Sequence, residues 1–456
     1  MEVKMNEIDV NKLKEWDKTL VWHPFTQMAE YVKNDPIIIE RGKGCWLYDV
    51  DGNRYLDAVG SIWCNVHGHN VKRLNDALYA QANKIAHSTL LGLTNVPAVQ
   101  LAKEIVDIAP GGLNHVFYSD DGSTAMEVAL KMAYQYWQLK GEKQRTKFIK
   151  LEEAYHGDTI GSVSIGGIDL FHSMFRELMF ETFKVPSPHP YRFEGTEEEC
   201  RNYSLFVMES ILKERGNEVA AVVMEPLVQA AAGIVVHPEG FLKGVRELCN
   251  KYGVLLILDE VATGFGKTGK MFACQWEDVV PDIMAISKGL TAGYMPLAIT
   301  LATDDVYKAF WGGDYGSGKT FFHGHTFTGN QLGCAVALEN LKLFREKGWP
   351  EALLPKIDFL YERLNHYLAD LKHVGNIRGR GFMVGIELVK DKKTKEGFSW
   401  KDDVGRRVSR RIIEKGVFTR PLGPTLVMMP PLAIAEDEID LMVRTYRDAI
   451  VEILGG

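Results

Sequence analysis

Two short apolar runs, each closing on a charged residue, constrain this chain most. They are Val254-Leu-Leu-Ile-Leu-Asp-Glu260 and Ile283-Met-Ala-Ile-Ser-Lys-Gly289. Continuous apolar stretches of that length read as buried strands. Strands buried on both faces belong to parallel sheets covered by helices. Each run delivers one charged side chain, Asp259 or Lys288, at its C-terminal end. The middle of the chain continues the pattern. His115-Val-Phe-Tyr-Ser119 reads as a strand that runs into a helix over 122–133. Residues 148–151 and 219–224 read as further strands, and 241–252 as an amphipathic helix feeding the strand that ends at Asp259. This alternation predicts an α/β fold with a mainly parallel sheet and helices on both faces.

The two ends differ from the middle. Residues 44–55 predict a hairpin around Asp51-Gly52. After about Asn330 come long helices, then a strand over 381–388 and a last helix over about 436–453. A chain of 456 residues is too long for one small core. The expected organisation is a large domain over 76–335 and a smaller α+β domain built from both termini, 1–75 and 336–456. The net charge of −7 argues against nucleic acid or an anionic membrane as the main partner. No apolar stretch is long enough to span a bilayer. The start, Met1 to Asp9, is charged and carries no signal-peptide core. The six cysteines make no Cys-x-x-Cys pair, which suits free thiols in a reducing cytoplasm.

In open α/β sheets ligands bind at the C-terminal edge of the strands. An acid there, beside a lysine able to lose its proton, is what pyridoxal phosphate requires. The lysine forms the Schiff base and the acid pairs with the protonated ring nitrogen. The plainer readings are a solvated lysine for Lys288 and a helix cap for Asp259. Gly122-Ser123-Thr124 opens a helix directly after a strand, where backbone N–H groups and the dipole suit an anion; Asp120, Asp121 or Ser123 could equally cap that helix. Tyr155, at a strand exit, could stack on a cofactor ring or merely plug the core. Arg420 is a candidate carboxylate clamp or a surface arginine. Gly313-Asp-Tyr-Gly-Ser-Gly-Lys-Thr320 matches the P-loop pattern in full. Its context fails, because a helical pattern precedes it and no helical run follows. The histidines show no metal-ligand spacing, and no metal is assigned.

Taken together these segments resemble the class III pyridoxal-phosphate aminotransferases of fold type I, over nearly the whole length. Leu258-Asp-Glu-Val-Ala-Thr-Gly-Phe-Gly266, followed by Pro281-Asp-Ile and Ser287-Lys-Gly289, is similar to the family signature. The resemblance implies a seven-stranded, mainly parallel sheet in the large domain. It implies that Gly122 and Ser123 hold the cofactor phosphate. Tyr155 would lie against cofactor and substrate, Val261 on a ring face, Asp259 on the ring nitrogen, and Lys288 would form the Schiff base and move protons. His325 and Thr326 would reach the phosphate in the other subunit of a homodimer, with the active sites at the subunit interface.

Trp22-His-Pro-Phe-Thr-Gln27, Tyr155-His-Gly-Asp-Thr159, 323–330 and Thr419-Arg-Pro-Leu-Gly423 are most similar to one branch of the class. That branch converts 8-amino-7-oxononanoate to 7,8-diaminononanoate in biotin synthesis, by a two-half ping-pong cycle. On this resemblance Phe25, Ile62, Trp63, Gly324 and Arg420 belong to the substrate site, with Arg420 on the keto-acid carboxylate. Members that use S-adenosylmethionine carry Tyr where this chain has Phe25, and a Trp pair where it has Ile62-Trp63. Some relatives that use lysine share the Phe, so both donors stay open. The alternatives are an ω-amino-acid or ornithine-type aminotransferase, a P-loop nucleotide hydrolase, and a non-catalytic cofactor-binding regulator.

Overall fold

Seven strands form the central sheet of the computed structural model, which describes residues 9–455. The charged start read above lies, up to residue 8, outside the described residues. In chain order the strands are β1 (Leu113–Ser119), β2 (Lys147–Leu151), β3 (Thr182–Val185), β4 (Val219–Met224), β5 (Leu255–Asp259), β6 (Ile283–Ile286) and β7 (Ala298–Thr303). Their spatial order is β1-β7-β6-β5-β4-β2-β3. β2 to β6 pair in parallel, and β7 runs antiparallel to both β6 and β1. The mainly parallel, seven-stranded sheet expected from the resemblance is therefore present.

Every residue of β4, β5 and β6 is buried. Helices cover both faces, so these strands need apolar side chains at every position rather than at alternate ones. Burying each Val, Leu or Ile fully contributes about 1.5–3 kcal/mol. The register sets Leu258 opposite both Met224 and Met284. Three neighbouring strands thus end together, and Glu225, Asp259 and Lys288 leave the sheet at one edge. β6 stops at Ile286, short of the expected run to residue 289. Lys288 has a left-handed backbone (φ 40°), which breaks the ladder and begins a 3-10 turn, Lys288–Thr291.

The helix Phe241–Tyr252 ends at Gly253, whose φ of 61° turns the chain into β5. Both ends of the chain share a second sheet, in which Val417–Phe418 lies parallel to Arg54–Asp57 of the Trp46–Asp57 hairpin. A third sheet holds Val374–Arg380, Met383–Asp391, Thr425–Met428 and Pro421–Leu422. Its first strand had no clear signal in the sequence. The helix Gln331–Glu346 runs through position 335 and packs on the helices Lys72–Ala82 and Val96–Ile108. Residues 313–320 form a loop after the helix Asp304–Ala309, with no strand leading into it. All six cysteines are free thiols. No helix among the described residues is long and apolar enough to cross a membrane.

Candidate active site

The strand ends open onto a cavity of about 740 Å³. Asp259 is 5% exposed, and its two oxygens are held differently. Oδ1 accepts from the Val261 N–H at 3.0 Å, and Oδ2 lies 2.7 Å from Nδ1 of the buried His156. The other His156 ring nitrogen, Nε2, is buried without a partner. Glu260, beside Asp259 in sequence, does not share the cavity. Its carboxylate accepts from Thr263 Oγ1 (2.5 Å) and the Cys274 N–H (2.8 Å) and is spent on the fold.

Lys288 faces the same cavity, its Nζ 4.8 Å from the centre of the Trp63 ring. Loss of hydration pulls its ammonium below the ordinary lysine value, against the nearby carboxylates of Asp259 and Glu225. Glu225 ends β4 as Asp259 ends β5. It is 4% exposed, and only Oε2 is bonded, to the Ala230 N–H at 2.8 Å. Oε1 is buried and unpartnered, and burial pushes the carboxyl up to about 7.

The wall opposite is a close-packed cradle. The helix Gly122–Lys140 starts at the cavity, capped by Asp121, whose side chain accepts from the Thr124 N–H. The cap expected as the plainer reading is therefore real. It leaves the first-turn N–H groups of Gly122 and Ser123 without intrahelical acceptors, and both residues line the cavity. A Cβ on Gly122 would lie 2.6 Å from Val261 Cγ1, and one on Gly157 2.3 Å from Ser123 Oγ. Ser123 Oγ also accepts from the Thr159 N–H at 3.1 Å. Tyr155 lines the cavity and donates to Asp158 at 2.8 Å; burial and that bond raise its phenol.

Trp63 comes from an unusual turn. Gly60, Ser61, Ile62 and Trp63 all have positive φ (51°, 48°, 63° and 69°). For L-residues such a turn costs about 1–2 kcal/mol per residue. The buried Asp57 carboxylate accepts from the Ser61 N–H (3.0 Å) and Ser61 Oγ (2.8 Å), and lies 3.0 Å from His69 Nε2. Lys267, 1% exposed, donates to the Asn65 carbonyl at 3.1 Å, and burial lowers its amine to about 8.

The remaining expected residues lie outside the cavity wall. Phe25 is half exposed, with its ring 5.2 Å from Phe171 and 5.6 Å from the Arg420 guanidinium. Phe171 stands edge-on to Tyr155 at 6.3 Å, so these rings link Arg420 to the cavity. Arg420 itself lines the neighbouring cleft. Ile62 is 44% exposed and is not part of the wall. Gly324 and Thr326 are exposed, and His325 Nδ1 lies 2.8 Å from Asp120 Oδ2 at the rim. Sequence reasoning missed His156, Glu225, Asp57 and Lys267. Only Glu225 carried a usable signal, since 219–224 is another apolar run ending in an acid.

Residues 27–450 match the family described as aminotransferase class-III. The adenosylmethionine-8-amino-7-oxononanoate aminotransferase of Aquifex aeolicus is 53% identical over 452 residues, covering 98% of this chain and 99% of that protein. A crystal structure of the same-named protein from Methanocaldococcus jannaschii superposes with a TM-score of 0.93 at 48% identity, covering 97% and 99% of the two chains. An (S)-enantioselective omega-transaminase from Thermomicrobium roseum superposes equally well, with a TM-score of 0.94 at 33% identity and coverage of 99% and 100%.

Proposed function

The chain belongs to the class III aminotransferases, and from that premise we propose that it aminates 8-amino-7-oxononanoate to 7,8-diaminononanoate in biotin synthesis, with S-adenosylmethionine or lysine as donor. The observation that carries the chemistry is the meeting of Asp259 and Lys288 in one cavity with the Gly122 helix start. The choice of substrate rests on the near-complete coverage at 53% identity, because the fold is shared equally with omega-transaminases.

The residues present fit pyridoxal phosphate, the cofactor of this family. At Gly122 and Gly157 the backbone packs too closely on Val261 and Ser123 to admit a side chain, which holds the cavity wall in place. The N–H groups of Gly122 and Ser123 suit its phosphate, Asp259 its ring nitrogen, and Val261 and Tyr155 its ring. When bound, it supplies an aldehyde that condenses with amines and a ring that accepts carbanion electrons. The chain's own residues do the rest. Asp259, oriented by His156, holds a proton on the ring nitrogen. The Lys288 amine, whose hold on its proton is loosened by desolvation, takes a proton from the amine-bearing carbon of the donor. It returns one at the carbonyl-derived carbon of the acceptor. Arg420 would hold the acceptor's carboxylate, and Phe25, Ile62, Trp63 and Gly324 would shape the pocket.

The same reading makes 76–335 the cofactor-binding unit, with 1–75 and 336–456 covering it. It also makes the enzyme a cytoplasmic homodimer in which His325 and Thr326 reach the partner's cofactor phosphate. The surface favours this. Leu91, Leu93, Val96 and Val99 are more than half exposed in one stretch. Asn95 Nδ2 bonds the Gly329 carbonyl and His87 packs on Phe327, tying the 324–329 loop to that apolar stretch. Mixing the purified, cofactor-loaded protein with each donor, then with 8-amino-7-oxononanoate, tests the reading. Loss of the visible band of the lysine-bound cofactor identifies the donor, and its return with the keto acid identifies the acceptor. Turnover of simple ω-amines with pyruvate or 2-oxoglutarate, and none on 8-amino-7-oxononanoate, would overturn it. Lys288→Ala should lose both the band and turnover.

A further inference from the structure

We propose that Asp57 is a positioning residue for this reaction: its buried carboxylate holds the left-handed turn Gly60–Trp63 and so keeps the Trp63 ring against the Lys288 amine. The proposal rests on the aminotransferase reading of the cavity and adds to it a residue that never touches the substrate.

A full turn of left-handed backbone at non-glycine residues does not persist unless its surroundings impose it. The imposing groups can be traced. Asp57 ends a strand fixed on both sides: its own N–H donates to the Cys45 carbonyl at 2.8 Å, and the Leu56 and Ala58 N–H groups donate to Gly416 and Phe418 at 2.9 and 3.0 Å. From that anchored position the carboxylate, with no exposed surface, reaches forward four residues. Oδ1 takes the Ser61 N–H and Oδ2 the Ser61 hydroxyl. The Trp63 N–H then closes on the Val59 carbonyl at 2.8 Å, and the Cys64 and Asn65 N–H groups on the Gly60 carbonyl at 3.0 and 2.9 Å. His69 braces the far side of Asp57, and the buried Lys267 braces the Asn65 carbonyl where the turn ends.

There is no room for the turn to drift. A Cβ on Gly60 would sit 3.0 Å from the Met429 carbonyl oxygen. In a right-handed or extended backbone the Trp63 side chain would leave the chain in another direction and lose its place 4.8 Å from Lys288 Nζ. The cost of the turn therefore serves the aromatic face beside the reacting amine.

A double-mutant cycle on the cofactor-loaded enzyme tests this. The rate of loss of the visible band on mixing with the donor is measured for the parent, Asp57→Asn, Trp63→Ala and the double variant. Asp57→Asn should slow the parent roughly tenfold or more, and slow the Trp63→Ala enzyme less than about twofold, because Asp57 acts through Trp63. An equal loss in both backgrounds, or none in the parent, would overturn the proposal. If Asp57→Asn fails to fold or to hold cofactor, Ser61→Ala carries the same cycle. It removes only the 2.8 Å hydroxyl bond, and a Trp63-dependent loss of roughly threefold is expected. If the parent itself shows no donor-driven loss of the band, the fault lies with the functional reading. A failed cycle on an active parent faults only the role of Asp57.

Discussion

Glu225→Gln should stabilise the cofactor-free protein, and the gain should grow as the pH rises. Burial is the largest cause of the raised Glu225 carboxyl, and the Asp259 charge adds to it; His156 and Lys288 oppose it. The folded group titrates near 7, against an ordinary value of 4.5. The folded chain therefore binds this proton more tightly than the unfolded chain does. The stabilisation from that proton is complete below about pH 4.5 and is lost as the pH rises through about 7. The interval corresponds to about 3 kcal/mol, and at 4% exposure little solvent screening reduces it. Glutamine keeps the Oε1 acceptor needed by the Ala230 N–H and cannot ionise. Urea unfolding of both proteins at about pH 5, 6, 7 and 8, followed by far-ultraviolet circular dichroism, measures the difference. Taking the difference cancels the other titrating groups, which both proteins share. The variant's advantage should widen by about 2–3 kcal/mol between the ends of that range. A difference that stays flat with pH, or narrows, would refute the idea that Glu225 is held as a neutral acid.

His156→Phe removes the 2.7 Å bond to a nearly buried carboxylate. Losing the partner of a buried charge costs about 3 kcal/mol, so the thermal midpoint should fall and kcat should drop by at least tenfold. Gly122→Ala places a methyl group 2.6 Å from Val261 Cγ1; urea unfolding of the apoprotein should show a loss of about 1–3 kcal/mol, and titration with cofactor should show roughly tenfold weaker binding as Val261 shifts. Arg420→Met should raise KM for the keto acid and leave the donor half-reaction near its normal rate, which separate half-reaction kinetics will show.

What could be read from the sequence follows from what each kind of order requires locally. Strands β4, β5 and β6 were legible because total burial demands unbroken apolar runs, and their common ending edge follows from parallel pairing. The placement of Asp259 and Lys288 at that edge needed nothing more. The strand Val374–Arg380 escaped because only Val374 in it is buried, so no apolar run marks it. His156 escaped for another reason. It stands 103 residues from Asp259, and no local pattern declares a partner across such a span. The left-handed turn was illegible because Ser61, Ile62 and Trp63 are poor candidates for positive φ. Only Gly60 hints at it, and the carboxylate that enforces it lies in the preceding strand.

The last two of these, His156 and the left-handed turn, share a location, and their physics explains why. The fold closes its buried acids where it can: both oxygens of Glu260 are bonded, by Thr263 and Cys274. At the end of the neighbouring strand, Glu225 is also buried and keeps one oxygen unpartnered, at a cost of about 1–3 kcal/mol. The unpartnered Nε2 of His156, the left-handed Lys288 and the turn at Gly60–Trp63 border the same cavity. Stability alone would have removed each of these, as it did at Glu260. Their concentration around one cavity marks a site built to receive a polar, charged ligand. It also explains why local sequence rules, which describe relaxed structure, fall silent at these positions.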